Sequence, residues 1–328
     1  MGQASPASLG IDVAKATFEA ALLVDGMMLQ RSFAMTVAGF DALHTGMSKQ
    51  GVERVHVCLE APGAYGAALA LSLHEAGHVV VVSLVNPARI AAYAKSRLTR
   101  TKTDQADAAL IAHVCYTQHP LAWTPPLAEV RELQARVRRV EMLQEMAQQE
   151  VNRLQSGLHS PLVRASMEAT LTFLRQEIAT MQRLVQEQVE QSADLRHKQH
   201  LLCSIPGAGR WTAARGLAES DQVRTSVSAR QLAAYAGLTP RERTSGTSVR
   251  HQPRLAKTGN SRLRRALYLS AIVAMRHNPA VRALAERLRV RSKRPMVIVG
   301  VAMRKLLHLI YGVLMADKPF NATRAMPA

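Results

Sequence analysis

Aromatic side chains are scarce in this 328-residue chain, at 4% of its residues, which argues against extended base-stacking platforms as its dominant surface. Cysteine is scarcer still. Cys58, Cys115 and Cys203 lie far apart, and none reads as part of a CxxC pair or a Cys/His cluster. A disulfide framework and a structural zinc site are therefore both unexpected, and a reducing cytosol fits. The opening residues, MGQASPASLG, lack the charged and apolar segments of a signal peptide. No uninterrupted apolar run of about 18 residues is present to cross a membrane. There is no Walker phosphate loop and no internal repeat. What the end of the chain lacks is acid: residues 196–328 carry 25 Lys/Arg against 5 Asp/Glu, whereas residues 1–195 carry 17 against 19. A solvated surface would interleave the two signs, so this asymmetry, mostly arginine, points to a polyanion, and nucleic acid is the class that fits.

With 48% apolar residues the chain is not disordered by composition, and its length suggests two to three domains. The first section reads as α/β. SLGIDVA, TFEAALLVDG and MMLQRSFAM are strands, the last two joined by an Asp25-Gly26 hairpin turn. VAGFDALHTGMSKQG is a helix, RVHVCLE a strand, YGAALALSLHEAG a helix stopped by Gly77, and HVVVVSLV a buried strand. Three hairpin-linked strands followed by α-β-α-β is the order of a ribonuclease-H-like domain, expected over residues 1–124.

WTPPL (123–127) breaks this section. A heptad seam follows, with Val130, Val137, Gln144, Val151 and Leu158 at one position and Leu133, Val140, Ala147 and Leu154 at the other. A second seam runs through Leu171, Leu174, Ile178, Met181 and Val185 after Ser160-Pro161. The pattern predicts an antiparallel coiled-coil hairpin or oligomerisation arm over 125–195; two core helices of a globular bundle are the alternative. Residues 196–328 read as a basic, mostly helical domain, with helices at 196–203, 211–219, 228–236, 260–276, 279–289 and 295–315. The segment TPRERTSGTSVRHQPRLAKTGN between them reads as a loop.

Four carboxylates stand out by position. Asp12 follows an apolar run, Glu60 ends a strand, and Asp104 and Asp107 sit three apart where a helix begins, on one face and within reach of its dipole. Each alone fits a turn, cap or helix-end charge. Together they can converge, and converging carboxylates repel unless a cation neutralises them. Hard oxygen donors suit Mg²⁺ or Mn²⁺ and phosphoryl transfer. Residues 86–103 supply Arg89, Lys95, Arg97, Arg100 and Lys102 and no acid, which would hold a phosphate backbone beside that site, or else form a solvated helix face.

The segments GIDVAK, CLEAPGAY and KTDQADA, in this order and spacing, resemble the Asp-Glu-Asp-Asp signature of a group of bacterial insertion-sequence transposases whose first domain is similar to the Holliday-junction resolvase RuvC. The resemblance implies that Asp12, Glu60, Asp104 and Asp107 bind the metal. Pro62 stands where the family has threonine, next to the acid but outside the ligand set.

Two further constellations lie in the basic region. Ile205-Pro206-Gly207-Ala208-Gly209 places two glycines between helices, where backbone N–H groups can take a phosphate; an ordinary helix–helix turn is the alternative. Thr244, Ser245, Thr247 and Ser248 are flanked by Arg241, Arg243, Arg250, Arg254 and Lys257, and guanidinium groups beside a loop hydroxyl would stabilise a pentavalent phosphorane. The chemistry leaves all four hydroxyls open, with the serines less hindered. AGLTPRERTSGTSVR and LAKTGNSRLRRALY, which add Arg262, Arg264 and Arg265 to the basic set, resemble the second characteristic segment of the same family, in which the serine directly before the loop glycine is the nucleophile. It maps to Ser245. The resemblance further implies a 5′-phosphoserine intermediate, donor and target double-stranded DNA, a structured guide (bridge) RNA, and a dimer or tetramer in which the two site halves come from different protomers. A metal-dependent Holliday-junction nuclease, a non-catalytic scaffold and a site-specific invertase of the same family are the other readings.

Overall fold

A computed structural model describes residues 7–50, 52, 54–60, 64–76, 80–98, 103–157, 160–219, 228–245 and 249–325. The chain forms two compact units, residues 1–125 and 126–328.

The first unit is built on a five-stranded mixed sheet of order β3-β2-β1-β4-β5. β1 (Ala7–Val13), β2 (Thr17–Val24) and β3 (Met27–Ala34) form an antiparallel meander, and β4 (Val55–Glu60) and β5 (Val80–Val85) run parallel to β1. The β2–β3 turn is made by Asp25 and Gly26, both at positive φ (49° and 78°), the backbone a two-residue hairpin demands. Four helices complete the unit: α1 (Val37–Lys49), α2 (Ala64–Glu75), α3 (Pro87–Ser96) and α4 (Asp104–Gln118). Alternation along the strands sends Leu9, Ile11, Phe18, Leu22, Val57 and Leu59 to one face, where they bury against Leu43, Met47, Leu69 and Leu73 of α1 and α2. The opposite face carries α4, whose Ile111, Val114 and Cys115 pack on Cys58, Val85 and Ile90. This agrees with the ribonuclease-H-like expectation.

The second unit begins with two long helices packed on each other, α5 (Ala128–Gln155) and α6 (Pro161–Gln191). The buried stripe of α5 follows the expected seam through Val130, Leu133, Val137 and Val140. At the next step Leu143 is buried and Gln144 stays half-exposed, because an amide at that depth would need a partner that a leucine does not. The bases of both helices share one core with α7 (Ala193–Cys203), α8 (Arg210–Ala218), α9 (Ala229–Tyr235), α10 (Ser261–His277) and α12 (Pro295–Ala316). The boundary expected at residue 195 therefore falls inside a single packed unit. Towards their joined ends the long helices expose Met142, Met146 and Phe173.

Two sequence expectations need correction. The segment read as a loop contains a two-stranded antiparallel ribbon, β6 (Pro240–Ser245) and β7 (Val249–Leu255). It was hidden because its residues are mostly polar and lie among turn formers, as in a loop. At its base Leu255 packs onto Gly300 of α12. Second, α12 is long and apolar enough to cross a membrane by length and composition, although Arg304 and Lys305 interrupt its apolar run. Its Ile298, Val299, Ala302, Met303, Leu306, Leu307 and Ile310 are buried in the unit's core. α11 (Pro279–Val290) and the short α13 (Ala322–Ala325) complete the chain.

Candidate active site

Neighbouring parallel strands β1 and β4 pair Ile11 with Leu59. Asp12 and Glu60, the next residues of each, therefore stand side by side at the C-terminal strand ends, on the face opposite the Ile11 core. That face is where α4 lies. A Cβ on Gly10 would meet the Ala112 nitrogen at 2.1 Å and the Ala108 oxygen at 2.2 Å, so only glycine lets the helix rest directly on the strand. The Cys115 thiol donates to the His56 carbonyl (3.2 Å) lower on the sheet. α4 thus runs antiparallel to β1 and points its N-terminus at the end that carries the acids.

The spacing then closes. From Gly10 to Asp12 is about 6.6 Å along the strand, and from Ala108 back to Asp104 is about 6 Å along the helix. Thr103 caps the helix, accepting from the Ala106 amide at 3.2 Å, with Asp104 and Asp107 in the first turn. The four acids expected from the sequence converge from three elements.

Their electrostatics reflect the crowding. The Asp12 carboxyl is pushed up from its ordinary 3.8 to about 6, by burial first and then by the negative charges of Asp104, Asp107 and Glu60, while a hydrogen bond from the Val13 backbone pulls it down. This donor set is all hard oxygen, and its charges oppose one another. Directly across β2 from Asp12 stands Glu19, whose Oε2 is buried with no hydrogen-bond partner among the described residues. Both features fit a divalent cation. Sequence reasoning missed Glu19, because a lone acid inside an alternating strand reads as solvent-facing.

A second cluster was also missed. His56 and Cys58 on β4 and Cys115 on α4 bring their donor atoms within 4.8 Å of one another, contrary to the expectation of no Cys/His group; the packing of α4 joins thiols distant in sequence. Ser83 Oγ offers its single hydrogen to the Pro120 and Leu121 carbonyls (3.0 and 2.8 Å), so His56 Nε2 must donate to it at 2.7 Å. With that nitrogen engaged, the ring is a tether between strands. The Cys58 thiol is pushed up by its hydrogen bond to Cys115 and by burial, and it stays protonated. The Cys115 thiol is pulled down to about 6 by the same hydrogen bond, but thiol and imidazole donors are soft and do not suit Mg²⁺.

In the second unit, Ser245 is the last residue of β6, paired with Val249. Gly246, Thr247 and Ser248 lie outside the described residues, as do Arg100 and Lys102 of the first unit. The ribbon register sets Arg241 opposite Arg254, Arg243 opposite His251 and Thr244 opposite Arg250. Like charges opposed across strands are unfavourable unless an anion lies over them. Arg241, Arg254 and Lys257 are exposed.

Other predicted contacts are committed within the protein. Arg264 turns inward and donates to the Ala236 carbonyl at 2.9 Å, Arg265 pairs with Glu145, and Arg262 lies 3.9 Å from Glu141. In the first unit Arg97 lies over the Tyr93 ring at 6.0 Å, and Arg89 is tied to Gln118. Gly207 has a structural reason of its own: φ is 104° and a Cβ would strike Ala274. Gly209 is exposed and caps α8 with no side-chain bond, which leaves first-turn amides of that helix available to an anion.

These features have counterparts in known proteins. A profile of the transposase IS116/IS110/IS902 family matches residues 199–286, and a DEDD transposase profile of IS110 elements matches residues 9–161. The pilin gene-inverting protein of Moraxella bovis is 32% identical over 317 residues, 95% of this chain and 97% of its own length. That of Moraxella lacunata is 32% identical over the same shares. An uncharacterized 43.6 kDa protein of insertion element IS110 from Streptomyces coelicolor is 31% identical over 167 residues, 51% of this chain and 40% of its own.

Proposed function

The chain belongs to the transposase IS116/IS110/IS902 family and is a DNA recombinase, and from that premise we propose that it cuts and rejoins DNA through Ser245, beside a divalent cation held by Asp12, Glu60, Asp104 and Asp107. The observation that carries the cation half is the docking of α4 on Gly10, which turns two strand ends and one helix start into a single acidic patch. When bound there, Mg²⁺ or Mn²⁺ neutralises charge on the phosphate oxygens. The carboxylates fix that charge beside the scissile bond, and the α4 N-terminus adds its dipole to the same place.

On the second unit the Ser245 Oγ attacks phosphorus. The Oγ–P bond forms as the P–O3′ bond breaks, the serine proton leaves to solvent, and the departing 3′ oxygen takes one up. A 5′-phosphoserine and a free 3′-OH result, and reversal by a different 3′-OH rejoins the strands with no ATP. Arg241 and Arg254 would lie along the phosphates. The two halves of the site come from different protomers, assembled by the α5–α6 arm, whose exposed Met142, Met146 and Phe173 suit a protein partner. A structured guide RNA pairs with donor and target DNA, so the protein reads mainly backbone shape; few aromatics and a basic second unit are compatible with that division of labour.

In the test, Ser245→Ala abolishes a DNA adduct that survives denaturant in the wild type. Asp12→Asn abolishes cleavage as well, and both lose at least about three orders of magnitude in strand exchange. Wild-type cleavage and rejoining by Ser245→Ala would hand the reaction to water at the acidic site, as in a junction nuclease. Full cleavage by Asp12→Asn would remove the cation from the chemistry. Recovery of one discrete RNA with the purified protein supports guidance, whereas bulk heterogeneous RNA opposes it.

The near full-length similarity to pilin gene-inverting proteins favours a second reading, inversion of a segment between two sites on one DNA. The same adduct forms in both. A plasmid carrying two sites in inverted orientation separates them, by yielding either an inverted segment or an excised and inserted one.

A further inference from the structure

Building on the cation site proposed above, we propose that Glu19 is a fifth carboxylate of that site, entering from the β2 side. The register leaves it little freedom. Phe18, Ala20 and Leu22 of β2 bury in the core on one face of the sheet, so Glu19 and Ala21 face α4. Ala21 packs with Ala108 and Ala112 and pairs with Gly10, the residue on which α4 rests. The next pair on that face, one step towards the α4 N-terminus, is Asp12 with Glu19. Glu19 and Glu60 therefore flank Asp12 on neighbouring strands, each about 4.8 Å away across the sheet.

A carboxylate placed only for solubility would turn its oxygens to water or to a cationic side chain. Glu19 does neither with Oε2, which is shielded from solvent and accepts no hydrogen bond among the described residues. Such an atom is expensive to keep unless something positive meets it. Mg²⁺ and Mn²⁺ retain several waters and use few protein oxygens, and an acid on the far side of Asp12 from Glu60 can hold the cation directly or through one of those waters. Glu19 is thus a positioning residue for the cation.

The test uses the full chain and Mn²⁺ alone, with titration calorimetry and thermal unfolding as readouts beside strand exchange. Glu19→Gln should weaken Mn²⁺ binding about tenfold or more, and should raise the unfolding temperature of the metal-free chain, since the orphaned charge is gone. Asp12→Asn should weaken binding further. Wild-type Mn²⁺ affinity in Glu19→Gln, with binding lost in Asp12→Asn, overturns the role of Glu19 and leaves the four-acid site standing. Equal Mn²⁺ binding by wild type and Asp12→Asn overturns the cation site itself and the Glu19 proposal with it. Should Glu19→Gln not fold, Glu19→Asp, which withdraws the charge by one methylene, is judged by the same criterion.

Discussion

The acidic face of the first unit and the basic ribbon of the second are organised on opposite principles. In the first, charges of one sign are forced together by dry packing: Gly10, Ala108 and Ala112 bring a helix onto a strand, and the acids follow. In the second, Arg241 and Arg254, both exposed, stand opposite each other across a two-stranded ribbon. The difference matches what the two proposed ligands would ask for. A cation site demands placement within tenths of an ångström, which only a close-packed interior supplies. A phosphate backbone demands a field, which exposed arginines on a ribbon provide.

The sharpest way to break this contrast is at Gly10. Gly10→Ala drives a methyl into the α4 backbone, and overpacking of this kind costs about 1–3 kcal/mol. We expect a clear fall in unfolding temperature, and a loss of Mn²⁺ affinity larger than that fall explains because the acids part. Retained affinity would show that the acid patch does not depend on helix docking.

Next in size is a pH effect. Asp12 is raised above its unfolded value, so the metal-free chain should lose stability as pH rises through about 6 and should have gained it in full below the ordinary 3.8. Mn²⁺ binding should run the other way, weakening as pH falls through about 6 because a proton competes for Asp12. Unfolding temperature against pH, with and without Mn²⁺, should give curves of opposite slope near pH 6.

Smaller effects separate the arginines. Arg241→Ala or Arg254→Ala should weaken DNA binding with little regard to sequence and lower the salt slope by about 1. Arg265→Ala should hardly alter that slope, since its guanidinium is spoken for by Glu145, and should cost no more than about 1 kcal/mol of stability as an exposed pair. Equal slopes for Arg241→Ala and Arg265→Ala would mean that the ribbon is not a privileged contact.

The same contrast governs what was legible in the sequence. Asp12, Glu60, Asp104 and Asp107 stood out by their places at strand ends and a helix start, while their role as a metal-binding set is what the family resemblance implies. Glu19 and the His56–Cys58–Cys115 cluster did not, since their meaning lies in register and in a helix packed from elsewhere in the chain. The meander and its Asp25-Gly26 turn were legible because turn chemistry is local. The ribbon was not, because Pro, Arg, Glu, Thr and Ser in succession look like any polar loop. Charge alone could not tell Arg241, exposed on the ribbon, from Arg264, half-buried and bonded to the Ala236 carbonyl.

The seat of Leu255 on Gly300 has a mechanical consequence. The ribbon spans about 20 Å from this seat to Ser245, taking six residues at the strand rise. It is therefore a lever whose short end packs on the core and whose long end is the Ser245 strand end. A tilt of about 5° at the base swings the tip by more than about 1 Å, and a displacement of that size costs an attacking group about a hundredfold in rate. If Ser245 attacks as proposed, the tolerance on one leucine–glycine contact is set by chemistry several helical turns away.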